Sequence, residues 1–429
     1  MTNHASLRDE QELSLVASDR HPERAEHQLA NGDHRSVPVV AIYGTNASGK
    51  SNVIDAIRWM RGAVLSSFGQ WDPAGGVPRR PFALRRDTSS LPTSFVMDFA
   101  LNGVRHEFGF SVDDERVTEE WLYYYPERKA NRLYERKADS SVVFGRSLTG
   151  RKKIISELLR PNSLYLSVAA AQGHVHLGAV YQWFQSGLRM ATDGNFRARL
   201  KQTVDLLSVD DRRKESAVPV LELLRFADLG VSGLEVGEPD EAVMDEYHRI
   251  TQAMKDALGG RVQIEKPWTN AVRVEHRTSE GVFPLDLAQE SSGTRTWIGL
   301  MGPVLATLVD GSVLCVDELD ARLHPYLVDA LVGIFQSPEI NRSGAQLLFS
   351  THEAALLGKN VRTELYRDQV WFTEKDPDTL ATRIFPMTDF HVRDSLENLE
   401  KRYLAGRYGA VPHLDEDVMR EIFTAVGGA

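Results

Sequence analysis

The chain has 429 residues, enough for two or three domain-sized units with a substantial core. Its 42% apolar and 26% charged residues exclude disorder as the main state, and a formal charge of −10 (50 Lys and Arg against 60 Asp and Glu) excludes a general nucleic-acid coat. A single cysteine, Cys315, excludes an intramolecular disulfide or a multi-cysteine metal site and suits a reducing compartment.

The first predicted element is the apolar, β-branched run Val37 to Tyr43, which stops at Gly44; apolar residues at helical spacing follow from Ser51 to Val64. Thr93 to Arg136 alternates polar and apolar residues with turn-forming Asn102-Gly103 and Asp113-Asp114 between the runs, which predicts an antiparallel β-lobe. Asn162 to Val168 reads as a further core strand, and helical patterns dominate from Ala179 to about Gly259. The apolar stretch from Trp297 to Val316 is interrupted by Pro303 and Asp310-Gly311, so it predicts a buried helix, a turn and a buried strand rather than a membrane span. Ser312–Val316 and Ala345–Ser350 are continuous apolar runs separated by a helix-sized interval, as in parallel α/β sheets. No signal-peptide-like run opens the chain, and the expected location is cytoplasmic.

Between the first strand and helix lies Gly44-Thr45-Asn46-Ala47-Ser48-Gly49-Lys50-Ser51, a phosphate-loop pattern in its required strand–loop–helix context. Terminal glycines let the main chain wrap around phosphates with its N–H groups inward, and the helix N-terminus adds partial positive charge. Lys50 is expected to reach the β- and γ-phosphates of ATP, and the Ser51 hydroxyl to ligate Mg²⁺. Gly44, Asn46, Ala47, Ser48, Gly49, Lys50, Ser51 and Asn52 form the expected nucleotide-contacting set.

The run Val313 to Val316 ends in Asp317-Glu318. Alternation along a strand makes these side chains diverge, so Asp317 is assigned to the metal and Glu318 to polarising the attacking water. His352 follows the next apolar strand and is a candidate hydrogen-bond donor to the γ-phosphate or the water. Cys315 reads as a small core hydrophobe.

Glu290 to Thr296 precedes a helical pattern leading into the acidic strand. This order, with a long insertion after the phosphate loop, resembles the ABC-type ATPase heads of the SMC, DNA-repair and OLD families. The resemblance implies that Ser291, Ser292 and Gly293 of one subunit contact the γ-phosphate held by another, in a homodimer with ATP sandwiched between heads; a helix N-cap is the alternative role for Ser291 or Ser292. Tyr43–Asn52, Asp317–Pro325, Phe349–His352, Arg367–Phe372 and Glu400–Pro412 together are similar to bacterial AAA/ABC-like ATPases of abortive-infection and other antiphage systems. That similarity implies a D-loop at Ala321 to His324, a Q-loop glutamine at Gln172 that contacts Mg²⁺, and a separate effector, a nuclease or toxin encoded nearby. The implied fold is an α/β ABC-type P-loop ATPase head with a mainly parallel core sheet, an antiparallel β-lobe and an inserted helical lobe, divided at 1–172, 173–288 and 289–429. Two departures from the family pattern are the opening Asn3-His4-Ala5-Ser6 in place of an apolar strand, and Ser292 and Thr294 where transporter heads carry glycine and glutamine.

Other features keep two readings. Arg79-Arg80, Arg85-Arg86, Arg151-Lys152-Lys153 and Arg212-Arg213-Lys214 are solvated charges or, if gathered on one face, a nucleic-acid track. His174 and His176 would share one face of a strand, but no carboxylate or cysteine nearby completes a metal site. Tyr403 to Tyr408 is a docking segment or a C-terminal helix packed on the core. The functional expectation is a dimerising ATPase switch; its rivals are an ATP-bound non-catalytic scaffold, a DNA-repair-like ATPase acting on nucleic acid, and a P-loop kinase or GTPase, the last disfavoured by the absence of a guanine-recognition motif.

Overall fold

The computed structural model describes residues 1–18, 20–28, 34–207, 214–227, 230–237, 241–257, 272–358, 361–390, 398–411, 420 and 423–424. Its contacts group the chain into two compact units. Met1–His21, Glu26–Phe184 and Phe349–Ala429 form the first; Pro22–Ala25 and Gln185–Leu348 form the second.

In the first unit the strand Val39–Gly44 is buried along its whole length and runs parallel to Val370–Lys375, which pairs antiparallel with Thr382–Pro386. A strand covered on both faces needs a continuous apolar sequence, and Val39-Val40-Ala41-Ile42-Tyr43 supplies one. The helix Lys50–Ser66 follows and buries Val53, Ile54, Ala56, Met60, Ala63 and Val64, one stripe at helical spacing.

The β-lobe is a five-stranded antiparallel sheet in chain order: Thr93–Leu101, Val104–Val112, Val117–Tyr125, Asn131–Arg136 and Val142–Phe144. Asn102 and Gly103 both take positive φ (52° and 75°), the backbone of the two-residue hairpin their sequence predicts. Phe95, Phe99, Phe108, Phe110, Leu122 and Tyr134 are buried. On the opposite face Trp121 covers Gly109, where a Cβ would overlap the indole.

One expected strand is a helix. Tyr165–Ala171 is α-helical, with Tyr165 to Ala169 buried. A short apolar run buried on every side has no periodicity that separates strand from helix, and here a carboxylate decides. Glu120 accepts hydrogen bonds from the N–H groups of Tyr165 (2.7 Å) and Leu166 (3.0 Å), satisfying donors at the helix start. It also accepts from the Tyr134 hydroxyl at 2.6 Å and lies 3.9 Å from Arg136. Burial pushes the Glu120 carboxyl up, against the opposing pull of Arg136 and these hydrogen bonds.

In the second unit Leu188–Ala191 pairs parallel with Val313–Val316. The helix Ser292–Asp310 contains Pro303, ends at Gly311 with φ 63°, and leads into the strand, matching the predicted helix, turn and strand. Proline disturbs the helical ladder, and the Thr203 hydroxyl enters there: it donates to the Ile298 carbonyl (2.8 Å) and accepts from the Gly302 N–H (2.9 Å). Gly302 has no Cβ because the Thr203 main chain occupies that space. Residues 173–288, expected as a helical lobe, also contain the antiparallel sheet Val231–Val236, Val272–Thr278 and Gly281–Asp286. Its middle strand buries Val272 and Val274 and exposes Arg273, a period of two. Pro325–Gln336 fills the helix-sized interval before Gln346–Ser350. No helix among the described residues is long and apolar enough to cross a membrane.

Candidate nucleotide site

The phosphate loop is built entirely within the first unit. Thr45, Asn46 and Ala47 are its open rim or close to it, with Asn46 and Ala47 exposed, whereas Ser48, Gly49 and Lys50 are buried. Ala47 (φ 63°) and Gly49 (φ 110°) are left-handed, which turns the main chain back on itself in the manner of an anion-binding nest. A Cβ on Gly44 would overlap the Thr373 and Ser48 hydroxyls, and one on Gly49 would overlap Thr382, so both glycines answer a close approach. Ser51 is exposed in the first turn of the helix, where N–H groups lack intrahelical acceptors.

Lys50 is 5% exposed and its ammonium turns inward, donating to the carbonyls of Gly44 (2.9 Å) and Thr45 (3.1 Å). His352 Nδ1 lies 3.4 Å from the same Nζ. The loop bearing His352 is pinned on both sides: Thr351 N–H donates to the Ile42 carbonyl (3.0 Å), and the Tyr43 hydroxyl donates to the Glu353 carbonyl (3.3 Å). Thus the histidine predicted from strand order is brought to the lysine. Asn52 points elsewhere, its amide donating to Ser6 Oγ at 2.6 Å, so its side chain supports the loop from behind. Gln172 is exposed at the C-terminal cap of the helix Tyr165–Ala171, where a strand end was expected.

Sequence reasoning missed Thr373, Thr382 and Ser6, which hold the loop from outside. Ser48 Oγ and Thr373 Oγ1 are 2.7 Å apart, Thr382 Oγ1 donates to the Ser48 carbonyl at 2.8 Å, and Ser6 Oγ is 2.6 Å from Thr382 Oγ1. More than 300 residues separate the threonines from the loop, as the 334-residue interval from Ser48 to Thr382 illustrates, and no local motif marks them. The opening segment was also underestimated. Asn3 is buried and its amide donates to the carbonyls of Thr88 and Leu91 (both 2.9 Å), while buried His4 Nε2 lies 3.0 Å from Asp55 on the phosphate-loop helix. Burial opposes charge on Asp55, but hydrogen bonds from His4 and Arg58 hold its carboxyl down at about 2.

In the second unit the ladder of the acidic strand continues one residue past its end, Asp317 N–H donating to the Ala191 carbonyl at 3.2 Å. Glu318 then takes φ 52°, and Ala321 N–H closes the turn onto its carbonyl at 3.0 Å. The main chain at Glu318 therefore leaves the pleat of the strand in a left-handed turn. Glu318 is exposed and Asp317 half-buried. A non-glycine residue in this region costs roughly 1–2 kcal/mol.

Ser291 is the N-cap of the helix Ser292–Asp310, its Oγ accepting from Thr294 N–H at 3.0 Å. Ser291 and Ser292 remain exposed. Gly293 lies against the segment Ala321 to His324: a Cβ there would sit 2.7 Å from the Arg322 carbonyl, and Arg322 is itself left-handed at φ 73°. His324 caps the next helix, with Nδ1 accepting from Tyr326 N–H at 3.2 Å.

Several of the remaining candidates have structural partners. Buried Arg79 donates to Asp114 (2.7 Å), Arg80 to Asp55 (2.9 Å), and Lys152 to the carbonyls of Gly145 and Leu148; Arg212-Arg213 lies outside the described residues. His174 is the N-cap of the helix Val175–Gln182 rather than part of a strand, and its Nε2 bonds the Thr149 carbonyl at 3.0 Å. His176 instead meets His106, at 5.9 Å between ring centroids. Among the described residues no group of three or more His, Cys, Asp or Glu side chains is placed to hold a metal ion. Tyr403 and Tyr408 are buried and stack on Phe372, so this stretch packs on the core.

Residues 39–358 match a family model described as "AAA domain, putative AbiEii toxin, Type IV TA system". No curated protein matches the chain. Among solved structures, the SMC head domain from Thermotoga maritima is 16% identical over 86% of this chain and 97% of its own, with a TM-score of 0.33. An Smc head with an extended coiled coil, bound to the C-terminal domain of ScpA and derived from Pyrococcus furiosus, is 13% identical over 90% and 98%, with a TM-score of 0.32.

Proposed function

Because the chain belongs to this AAA-domain family, we propose that it is an ABC-type ATPase head that binds Mg·ATP, pairs with a second copy across the nucleotide and hydrolyses it slowly. The cycle acts as a switch on a separate effector in antiphage, abortive-infection defence. The observation that carries the nucleotide part is the buried Lys50 ammonium, drawn into a loop of left-handed Ala47 and Gly49 at a helix N-terminus.

The N–H groups around residues 47–51 bind phosphate oxygens, and Lys50 exchanges the Gly44 and Thr45 carbonyls for β- and γ-phosphate oxygens. Ser51, Asp317 and Gln172 offer the hard oxygen donors that suit Mg²⁺, which when bound would neutralise charge between the β- and γ-phosphates. Glu318 orients water and accepts its proton. His352 donates a hydrogen bond to the γ-phosphate. Ser291, Ser292 and Gly293 of the second copy complete the phosphate shell in trans.

Calorimetric titration with ATP tests the reading. Lys50→Ala is expected to weaken binding by two orders of magnitude or more, and undiminished binding defeats the assignment. Phosphate release that rises more than linearly with protein concentration marks a composite dimeric site; bound ATP with no release marks a scaffold instead.

A further inference from the structure

The hydroxyl contacts around Ser48 have only one consistent set of proton directions. Thr382 Oγ1 donates to the Ser48 carbonyl (2.8 Å), so its bond to Ser6 must be accepted from the Ser6 hydroxyl (2.6 Å). Ser6 Oγ in turn accepts from the Asn52 amide (2.6 Å). On the other side Thr373 Oγ1 donates to the Tyr43 carbonyl (3.2 Å), so the 2.7 Å contact to Ser48 is donated by Ser48. Two directed chains therefore meet at Ser48: one runs from Asn52 through Ser6 and Thr382 into the Ser48 carbonyl, and the other from the Ser48 hydroxyl through Thr373 to the strand that precedes the loop. The hydroxyls of Ser6, Thr382 and Thr373 each both accept and donate, and that of Ser48 donates. Thr373 and Thr382 are 0% and 2% exposed, so water does not readily replace a missing partner. Gly44 and Gly49 are the residues against which these two threonines press.

We propose that Thr382 and Thr373 are positioning residues that hold the phosphate loop in its phosphate-binding shape before nucleotide arrives, with Ser6 orienting Thr382. This deepens the nucleotide reading and rests on it. A loop shaped in advance pays no ordering cost on binding, so loss of the clamp appears as weaker binding rather than as slower chemistry.

The test is calorimetric titration of the full chain with a non-hydrolysable ATP analogue and Mg²⁺, together with steady-state phosphate release. Thr382→Val keeps the shape of the side chain and removes the hydroxyl; Kd and KM are expected to rise about tenfold, with kcat within about twofold, from the loss of buried hydrogen bonds. Thr382→Ser restores the hydroxyl and is expected to return Kd to within about twofold of wild type. A Val variant that binds like wild type, or a Ser variant as impaired as the Val variant, overturns the proposal. If Thr382→Val does not fold, Thr373→Val replaces it with the same expected rise, and unchanged binding there overturns the proposal equally. Failure of the wild-type chain to bind the analogue overturns the nucleotide reading itself and is distinct from these outcomes.

Discussion

Lys50 Nζ and His352 Nδ1 lie 3.4 Å apart, a contact in which the ammonium is the donor. With Nδ1 accepting from the lysine, Nε2 is the ring nitrogen left to donate. That N–H is the donor the proposed hydrolysis requires. His352→Ala is therefore expected to leave the Kd for ATP within about threefold while lowering kcat roughly 10²-fold, the scale of losing one transition-state donor. Equal losses in binding and turnover, measured by titration and phosphate release, would assign His352 to holding the lysine instead.

Glu318 stands at the left-handed turn that ends the acidic strand. Glutamine keeps the size and the backbone demand of this side chain but cannot take a proton from water. Glu318→Gln is expected to bind ATP as wild type does and to slow phosphate release by roughly 10²–10⁴. ATP-loaded dimer should then accumulate on size exclusion. Wild-type turnover in this variant removes Glu318 from the chemistry.

The parts of this arrangement that the sequence made legible are those whose chemistry is contiguous. Gly44 to Ser51 carries its strand, turn and helix start in adjacent residues, and Asn102-Gly103 carries its hairpin backbone in two. Residues 165–168 were misread because an apolar run buried all round looks alike as strand or helix, and the deciding group, Glu120, lies 45 residues away in sequence from Tyr165. Thr373 and Thr382 were invisible for the same reason at greater range: a buried threonine in a strand is ordinary until its hydroxyl partner is known. Divergence of Asp317 and Glu318 was expected from the pleat, but the backbone at Glu318 leaves the pleat in a conformation that glutamate rarely takes.

Asp55 gives a pH signature. It accepts from His4 (3.0 Å), Arg58 and Arg80 (2.9 Å), and its folded pKa, about 2, lies below the ordinary 3.8. A folded state that holds the proton less tightly than the unfolded state gains stability above the unfolded pKa and loses it as pH falls toward the folded one. The contribution of Asp55 is therefore intact above about pH 4 and lost between about pH 4 and 2. Thermal melts across this window should fall more steeply for wild type than for Asp55→Asn. Parallel curves would show that the His4–Asp55 link between the opening segment and the phosphate-loop helix contributes nothing measurable.

Gly293 separates the two functions assigned to the two units. Its Cα faces the Arg322 carbonyl so closely that an added Cβ would lie 2.7 Å from that oxygen, nearer than carbon and oxygen settle without movement. The obstacle is main chain at a left-handed residue, which cannot rotate aside as a side chain would. Gly293→Ala must therefore displace either the start of the helix Ser292–Asp310, and with it exposed Ser291 and Ser292, or the segment Ala321 to His324. The phosphate loop lies in the other unit. ATP affinity at low protein concentration should thus stay within about twofold of wild type, while the steep concentration dependence of phosphate release is lost, since displacement of about an ångström in a catalytic constellation costs on the order of 10² in rate. Retention of both affinity and concentration-dependent hydrolysis in this variant would show that the Ser291–Gly293 segment takes no part in the reaction.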